Sequence, residues 1–107
     1  MISSRISNAD RKKIYRRDGF ACALCGNPKT LQLHHLYARS AGGKDTPHNL
    51  ITVCQDCHMA LHGHALDGAT YRERMERQEW AFMAATEYLA DYYAPNWDPW
   101  DILLIEI

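Results

Sequence analysis

The sequence predicts a small α+β domain: a hairpin–helix core stapled by zinc, preceded by a basic helix and followed by a long helix and a tail. Three observations carry this. Four cysteines fall in two C-x-x-C pairs, Cys22/Cys25 and Cys54/Cys57. Two short β-prone runs, 31–36 and 50–53, precede a segment in which His58 and His62 stand four residues apart. A helical pattern then runs from Thr70 to about Tyr93. A length of 107 residues predicts one domain over 1–107, with the core at about 19–62 and the C-terminal helix and tail at about 69–107.

Each element has a local cause. Residues 7–18, SNADRKKIYRRD, read as a helix capped by Ser7, with Asp10 at the third position and Gly19 as its stop. Residues 20–30 form a knuckle, with Cys22 and Cys25 on a tight turn closed by Gly26 and Pro28. LQLHHL alternates apolar and polar at its start, as a strand does. Residues 37–49 are a polar loop holding Gly42, Gly43 and Pro47. LITV is the second strand, and 55–62 a short helix that puts His58 and His62 on one face. After a break at 63–68, Thr70 and Glu73 make a capping box. Tyr71, Met75, Phe82, Ala85, Leu89 and Tyr92 then recur at helical intervals, and Pro95 ends the helix. The tail NWDPWDILLIEI carries two tryptophans and a β-prone run.

Composition is that of a globular protein, 47% hydrophobic and 23% charged. No apolar run approaches the ~20 residues of a membrane helix, and the N-terminus lacks the apolar stretch of a secretion signal. The expected location is the cytoplasm of a bacterium or of a phage-infected host cell, with no membrane partner. Net charge is −1, but it is unevenly spread. Residues 1–44 hold nine Lys/Arg and two acids, while residues 45–107 hold three and eleven. The basic half can face phosphates; a solvated helix face explains the same charges, and charge alone favours that plainer explanation.

In a reducing compartment two C-x-x-C pairs favour metal over disulfide. Four thiolates close a tetrahedral Zn²⁺ site with no position left for chemistry. Because the pairs are distant in sequence, ion binding becomes folding energy, which suits a domain with a modest core. The histidines therefore need a second site. His58 and His62 can face one ion, and the hairpin supplies a third imidazole. Neighbouring strand residues point to opposite sides, so His34 and His35 divide the work: one ligates, the other faces substrate as a base. Three imidazoles with open positions describe a catalytic metal site. His48 and His64 receive no role.

The order C-x2-C, HH, a GG loop, NL and C-x2-C-H-x3-H resembles the HNH endonuclease family over about residues 19–62, under half the chain. From His35 there are thirteen residues to Asn49, then eight to His58, then three to His62, a spacing similar to the colicin DNase form of the motif. The resemblance implies a ββα-metal, treble-clef-like core. It implies that His34, His58 and His62 ligate the catalytic ion and that His35 is the general base. Asn49 joins His35 in the catalytic set, as a brace of the loop or, in some relatives, a ligand. Cys22, Cys25, Cys54 and Cys57 hold the structural Zn²⁺. Many relatives carry Asp at the place of His34 and Asn at that of His58, and use Mg²⁺. An all-imidazole set suits Zn²⁺, Ni²⁺, Co²⁺ or Mn²⁺ better.

The expected activity is metal-dependent hydrolysis of DNA phosphodiester bonds with weak sequence preference. Arg11, Lys12, Arg16, Arg17, Arg39 and Lys44 are the phosphate-contact candidates, with Arg5 and Lys13 beside them. Two alternatives stand next to this. One is a non-catalytic zinc module that binds DNA or protein. The other is a nuclease subunit that works only inside a phage packaging or recombination complex. In that case the acidic half, with Trp97, Trp100 and ILLIEI, is either a docking surface or ordinary packing.

Overall fold

The computed structural model describes residues 6–64 and 68–100. Arg5 and the ILLIEI run lie outside the described residues. Helix α1 spans Asn8–Arg17. The Ser7 hydroxyl accepts from the Asp10 N–H at 3.0 Å, satisfying one of the first-turn donors. At the other end Gly19 turns left-handed (φ 73°). The Gly19 N–H then reaches the Arg16 carbonyl and the Phe20 N–H the Tyr15 carbonyl, a Schellman stop.

The knuckle closes on itself through Cys22 N–H to Asn27 O and Gly26 N–H to Cys22 O. It docks on the sheet through Ala23 N–H to Thr52 O, at 2.9 Å. Strands β1 (Gln32–His35) and β2 (Leu50–Val53) pair antiparallel, with His34 opposite Ile51 and His35 opposite Leu50. Every residue of β2 is buried, since α1 packs on this strand and the knuckle hydrogen-bonds to it. That burial is why the run is β-branched and apolar rather than alternating. A short 3-10 turn, Arg39–Ala41, interrupts the connecting loop. Beyond it the backbone passes so close to Tyr37 that a Cβ at Gly43 would overlap the Tyr37 carbonyl. Only glycine fits there.

Helix α2 (Gln55–Leu61) starts from Cys54 as its N-cap and ends at His62. Together β1, β2 and α2 make the expected ββα unit. Helix α3 (Tyr71–Tyr92) opens with the predicted capping box, Thr70 N–H to Glu73 Oε1 and Glu73 N–H to Thr70 Oγ1. It lies along α2, and its Gln78 amide donates to the Leu61 carbonyl at 3.0 Å, covering an orphan acceptor at the end of α2.

The core joins Cys22, Leu36, Ile51, Val53, Cys54, Cys57, Ala60 and Leu61 to Ala81, Ala85 and Leu89 of α3. The buried stripe of α3 is thus Ala81, Ala85 and Leu89, a correction to the expected one. Ala85 and Leu89 belong to both, whereas Tyr71, Phe82 and Tyr92 are exposed. Small side chains at two of the three buried positions allow close packing of α3 on the core. The tryptophans follow the packing alternative. Trp97 donates to the His48 carbonyl at 2.8 Å, and Trp100 stacks on Tyr37 at 4.3 Å. Both pack on the chain itself. No helix among the described residues is long and apolar enough to cross a membrane.

Candidate active site

The sulfur cluster comes from two turns. Cys22 and Cys25 sit on the knuckle, Cys54 and Cys57 on the first turn of α2, and the four Sγ atoms lie within 4.8 Å of one another. None is in a disulfide. Cys25 Sγ and Cys54 Sγ are 3.6 Å apart, against about 3.8 Å for the edge of a tetrahedron with Zn–S bonds of about 2.3 Å. The donors also suit a cation electrostatically. Burial pushes the Cys22 thiol up, but hydrogen bonds from the Cys54, Cys25 and Leu24 backbone outweigh it and bring the group down to about 7. Burial and the neighbouring Cys22 sulfur push Cys57 strongly up. Four sulfurs packed this closely cannot all ionise without a positive centre, and a dication is that centre. The residues fit a structural metal.

On the other side of α2 a second cluster converges. His34 comes from β1, His58 from α2 and His62 from its C-cap, and their nitrogens also lie within 4.8 Å of one another. His58 Nε2 and His62 Nε2 are 3.0 Å apart. The helical i, i+4 spacing alone aligns this pair, and the register of β1 opposite Ile51 brings His34 against it. Burial, then the neighbouring His58, His62 and His35, hold His34 down at about 3. Burial followed by His62 and His64 lowers His58 as well. Imidazoles that resist protonation keep their lone pairs for a cation, so the set fits a catalytic-type metal.

His35 is not one of the three converging imidazoles. Its Nε2 lies 2.7 Å from Asp45 Oδ1, and the same carboxylate takes Arg39 through Nε at 2.8 Å and Nη2 at 3.1 Å. His34, His35, His58 and His62 nonetheless line one cleft of about 600 Å³, with Arg39, Gln78 and Phe82 also on its walls. Asn49 is fully buried. Its Oδ1 accepts from the Tyr37 N–H, and its Nδ2 donates to the Tyr37 and Lys44 carbonyls at 3.0 and 2.9 Å. The amide ties both ends of the loop together and is a positioning group, which narrows the catalytic reading of Asn49.

The basic residues separate. Arg39 alone of the six phosphate-contact candidates lines the cleft. Lys12, Arg16 and Lys44 are exposed, and Arg11 is half-buried. Arg17 corrects its expectation. Its guanidinium is paired to Asp18 and also donates to the Pro47 and Leu50 carbonyls and the Tyr93 hydroxyl. Burial works against that charge, and the Asp18 and Tyr93 bonds more than compensate. Every donor direction is spent inside the fold, so Arg17 has nothing left for a phosphate.

Residues 22–64 match the model of the HNH endonuclease family. Over this segment the chain is similar to the HNH endonuclease family. A stretch of 37 residues is 46% identical to the type IV methyl-directed restriction enzyme EcoKMcrA of Escherichia coli (strain K12), covering 35% of this chain and 13% of that protein. No solved structure matches the chain. The matched segment contains all four cysteines, the three converging histidines, His35, Asp45 and Asn49. Helices α1 and α3 fall outside it, yet Arg17 and Asp18 brace its second strand, and Gln78 and Phe82 wall its cleft. Asp45, Gln78 and Phe82 were missed by sequence reasoning. Asp45 is one polar residue in a polar loop, and the α3 pair lies far along the chain, so no local pattern marks them.

Proposed function

We propose that the HNH-like segment is a metal-dependent endonuclease that hydrolyses DNA phosphodiester bonds. The observation that carries this reading is the convergence of His34, His58 and His62 on one wall of a cleft that His35 also lines. A divalent ion held by that triad supplies Lewis-acid stabilisation of the negative charge that develops on the phosphate in the transition state. The imidazole donor set favours Zn²⁺, Ni²⁺, Co²⁺ or Mn²⁺ over Mg²⁺. The chain's own contribution is proton transfer and alignment. Neutral His35 takes a proton from water, the water oxygen bonds to phosphorus, and the bond to the 3′ oxygen breaks. That oxygen leaves as an alkoxide and takes a proton from solvent water to become a 3′-hydroxyl, and the new end is a 5′-phosphate. Asn49 keeps the loop between the strands in shape, and Cys22, Cys25, Cys54 and Cys57 would hold a Zn²⁺ that ties the knuckle to α2.

Arg11, Lys12, Arg16, Arg39 and Lys44 supply the phosphate contacts, with Arg39 nearest the chemistry because it lines the cleft. Contacts of this kind carry little sequence information, so preference is weak. Trp80 and Met83, exposed at 51% and 55% on the acidic helix α3, support a protein partner as a second component.

The test is cleavage of plasmid and short oligonucleotides by chelated protein resupplied with a panel of divalent ions. Cutting restored by a first-row ion and lost in His35→Ala, with folding and DNA binding kept, supports the reading. Cutting that ignores both chelation and His35→Ala overturns it. A protein that binds DNA or another protein and cuts nothing in any ion is the non-catalytic zinc module.

A further inference from the structure

We propose that Asp45, clamped by Arg39, is the positioning residue that fixes which nitrogen of His35 acts as the base. The inference rests on the nuclease reading and adds to it a residue outside the metal ligands and the base. Three contacts carry it. His35 Nε2 stands 2.7 Å from Asp45 Oδ1, Arg39 Nε stands 2.8 Å from that same oxygen, and Arg39 Nη2 reaches Oδ2 at 3.1 Å. All three residues come from one stretch of chain, from the end of β1 to the loop beyond the 3-10 turn.

The chemistry follows from what each group can do. An ionised carboxylate only accepts hydrogen bonds. Burial works against the Asp45 charge, but the Arg39 and His35 bonds outweigh it and hold the carboxyl below its ordinary range. As a carboxylate Asp45 is an acceptor, and the nitrogen facing it must carry the hydrogen. In a neutral imidazole only one nitrogen does so. Nε2–H pointing at Asp45 leaves the lone pair on Nδ1, and Nδ1 is the atom that takes the proton from water. When that proton arrives, His35 becomes a cation beside the carboxylate, with Nε2–H still donated and Asp45 still ionised. The carboxylate thus both selects the tautomer and stabilises the charge that the step creates. Arg39 keeps the carboxylate in place by a fork of two donors, a geometry that a lysine would not reproduce.

A purely structural role is the competing explanation, because the same contacts tie the loop to β1. Two measurements separate them. The first is a two-bond ¹H–¹⁵N correlation of the imidazoles, which reports the tautomer of each ring. The wild type is expected in the Nε2–H form at His35, and Asp45→Ala is expected to shift toward a mixture of tautomers. The second is steady-state cleavage by Asp45→Ala and Asp45→Asn with the best ion of the panel. The expected result is a kcat lower by about 10–100-fold, the usual cost of losing an outer partner of a functional histidine, with KM, melting temperature and zinc content near wild type. Asp45→Asn keeps the shape and loses the charge, so a comparable loss there assigns the effect to charge. A wild-type His35 in the Nδ1–H form, or an Asp45→Ala variant with unchanged kcat, overturns the assignment while leaving the nuclease reading intact. A wild-type protein that cuts nothing overturns the nuclease reading and this one with it, and the tautomer spectrum alone then reports whether the Asp45 clamp exists.

Discussion

The Arg17 guanidinium lies edge to edge with the Asp18 carboxylate, Nε 2.7 Å from Oδ1 and Nη2 2.8 Å from Oδ2, with the side chains only 6% and 0% exposed. Around this pair three parts of the chain meet. The Thr52 N–H of β2 donates to Asp18 Oδ2 at 3.0 Å, the Tyr88 hydroxyl of α3 donates to Oδ1 at 2.8 Å, and Arg17 reaches the Leu50 carbonyl at 2.7 Å. Burial first, then the Asp18 bond, pushes the Tyr88 phenol strongly up, so it stays a donor.

Removing one partner strands the other charge. Arg17→Ala is expected to lower unfolding free energy by about 3–5 kcal/mol, the range for breaking a buried pair. Denaturant unfolding checks this. A loss below about 1 kcal/mol would place the pair among surface ion pairs.

Under the proposed DNA binding, Arg17 and its neighbour should behave differently. Arg16 is exposed and Arg17 is fully engaged inside the fold. Arg16→Ala is expected to reduce the slope of log K against log salt by up to about 0.9, the share of one phosphate on duplex DNA. Arg17→Lys, which keeps a charge, should weaken the fold without changing that slope. Titrations at several salt concentrations read both.

The sulfur site is expected to act through stability. Cys54 is buried at the junction of β2 and α2, with its Sγ 3.6 Å from Cys25 Sγ. Cys54→Ala should release the bound zinc and lower the melting temperature, because ion binding is coupled to folding. An unchanged melting curve with full zinc content would remove the structural role.

Acid should destabilise protein that carries metal only on its cysteines. His34 is held at about 3, against 6.5 for an ordinary imidazole. Above pH 6.5 it is neutral in the folded and the unfolded chain and contributes no slope. As pH falls below 6.5 the unfolded chain gains a proton that the folded chain refuses, so stability drops progressively toward pH 3. His58 is lowered too and adds the same sign. Between about pH 6.5 and 5.5, melting temperature should fall more steeply for the wild type than for His34→Asn. Parallel curves would contradict the burial account, and ligand-saturated protein should show a shallower fall.

Much of this was legible in the sequence because it was local. Ser7, Gly19 and the Thr70/Glu73 box act within one turn of chain, so the ends of α1 and the start of α3 could be read from residue type. The two C-x-x-C pairs and the His58/His62 spacing are also local geometry. The resemblance then joined His34 to them, and the structure places all three nitrogens together.

Chain order and residue chemistry by themselves determined the ββα order, the sulfur cluster and the pairing of His58 with His62, since turn, strand and helix periodicities act over a few residues. Tertiary structure alone decided that Arg17 is spent on Asp18 and Leu50 rather than offered to solvent, that Ala81 and Ala85 rather than Tyr71, Phe82 and Tyr92 are buried, and that Asp45 meets His35. A charged or aromatic side chain has the same local propensities whether it is buried or bare. Which of the two it becomes depends on what distant part of the chain arrives beside it.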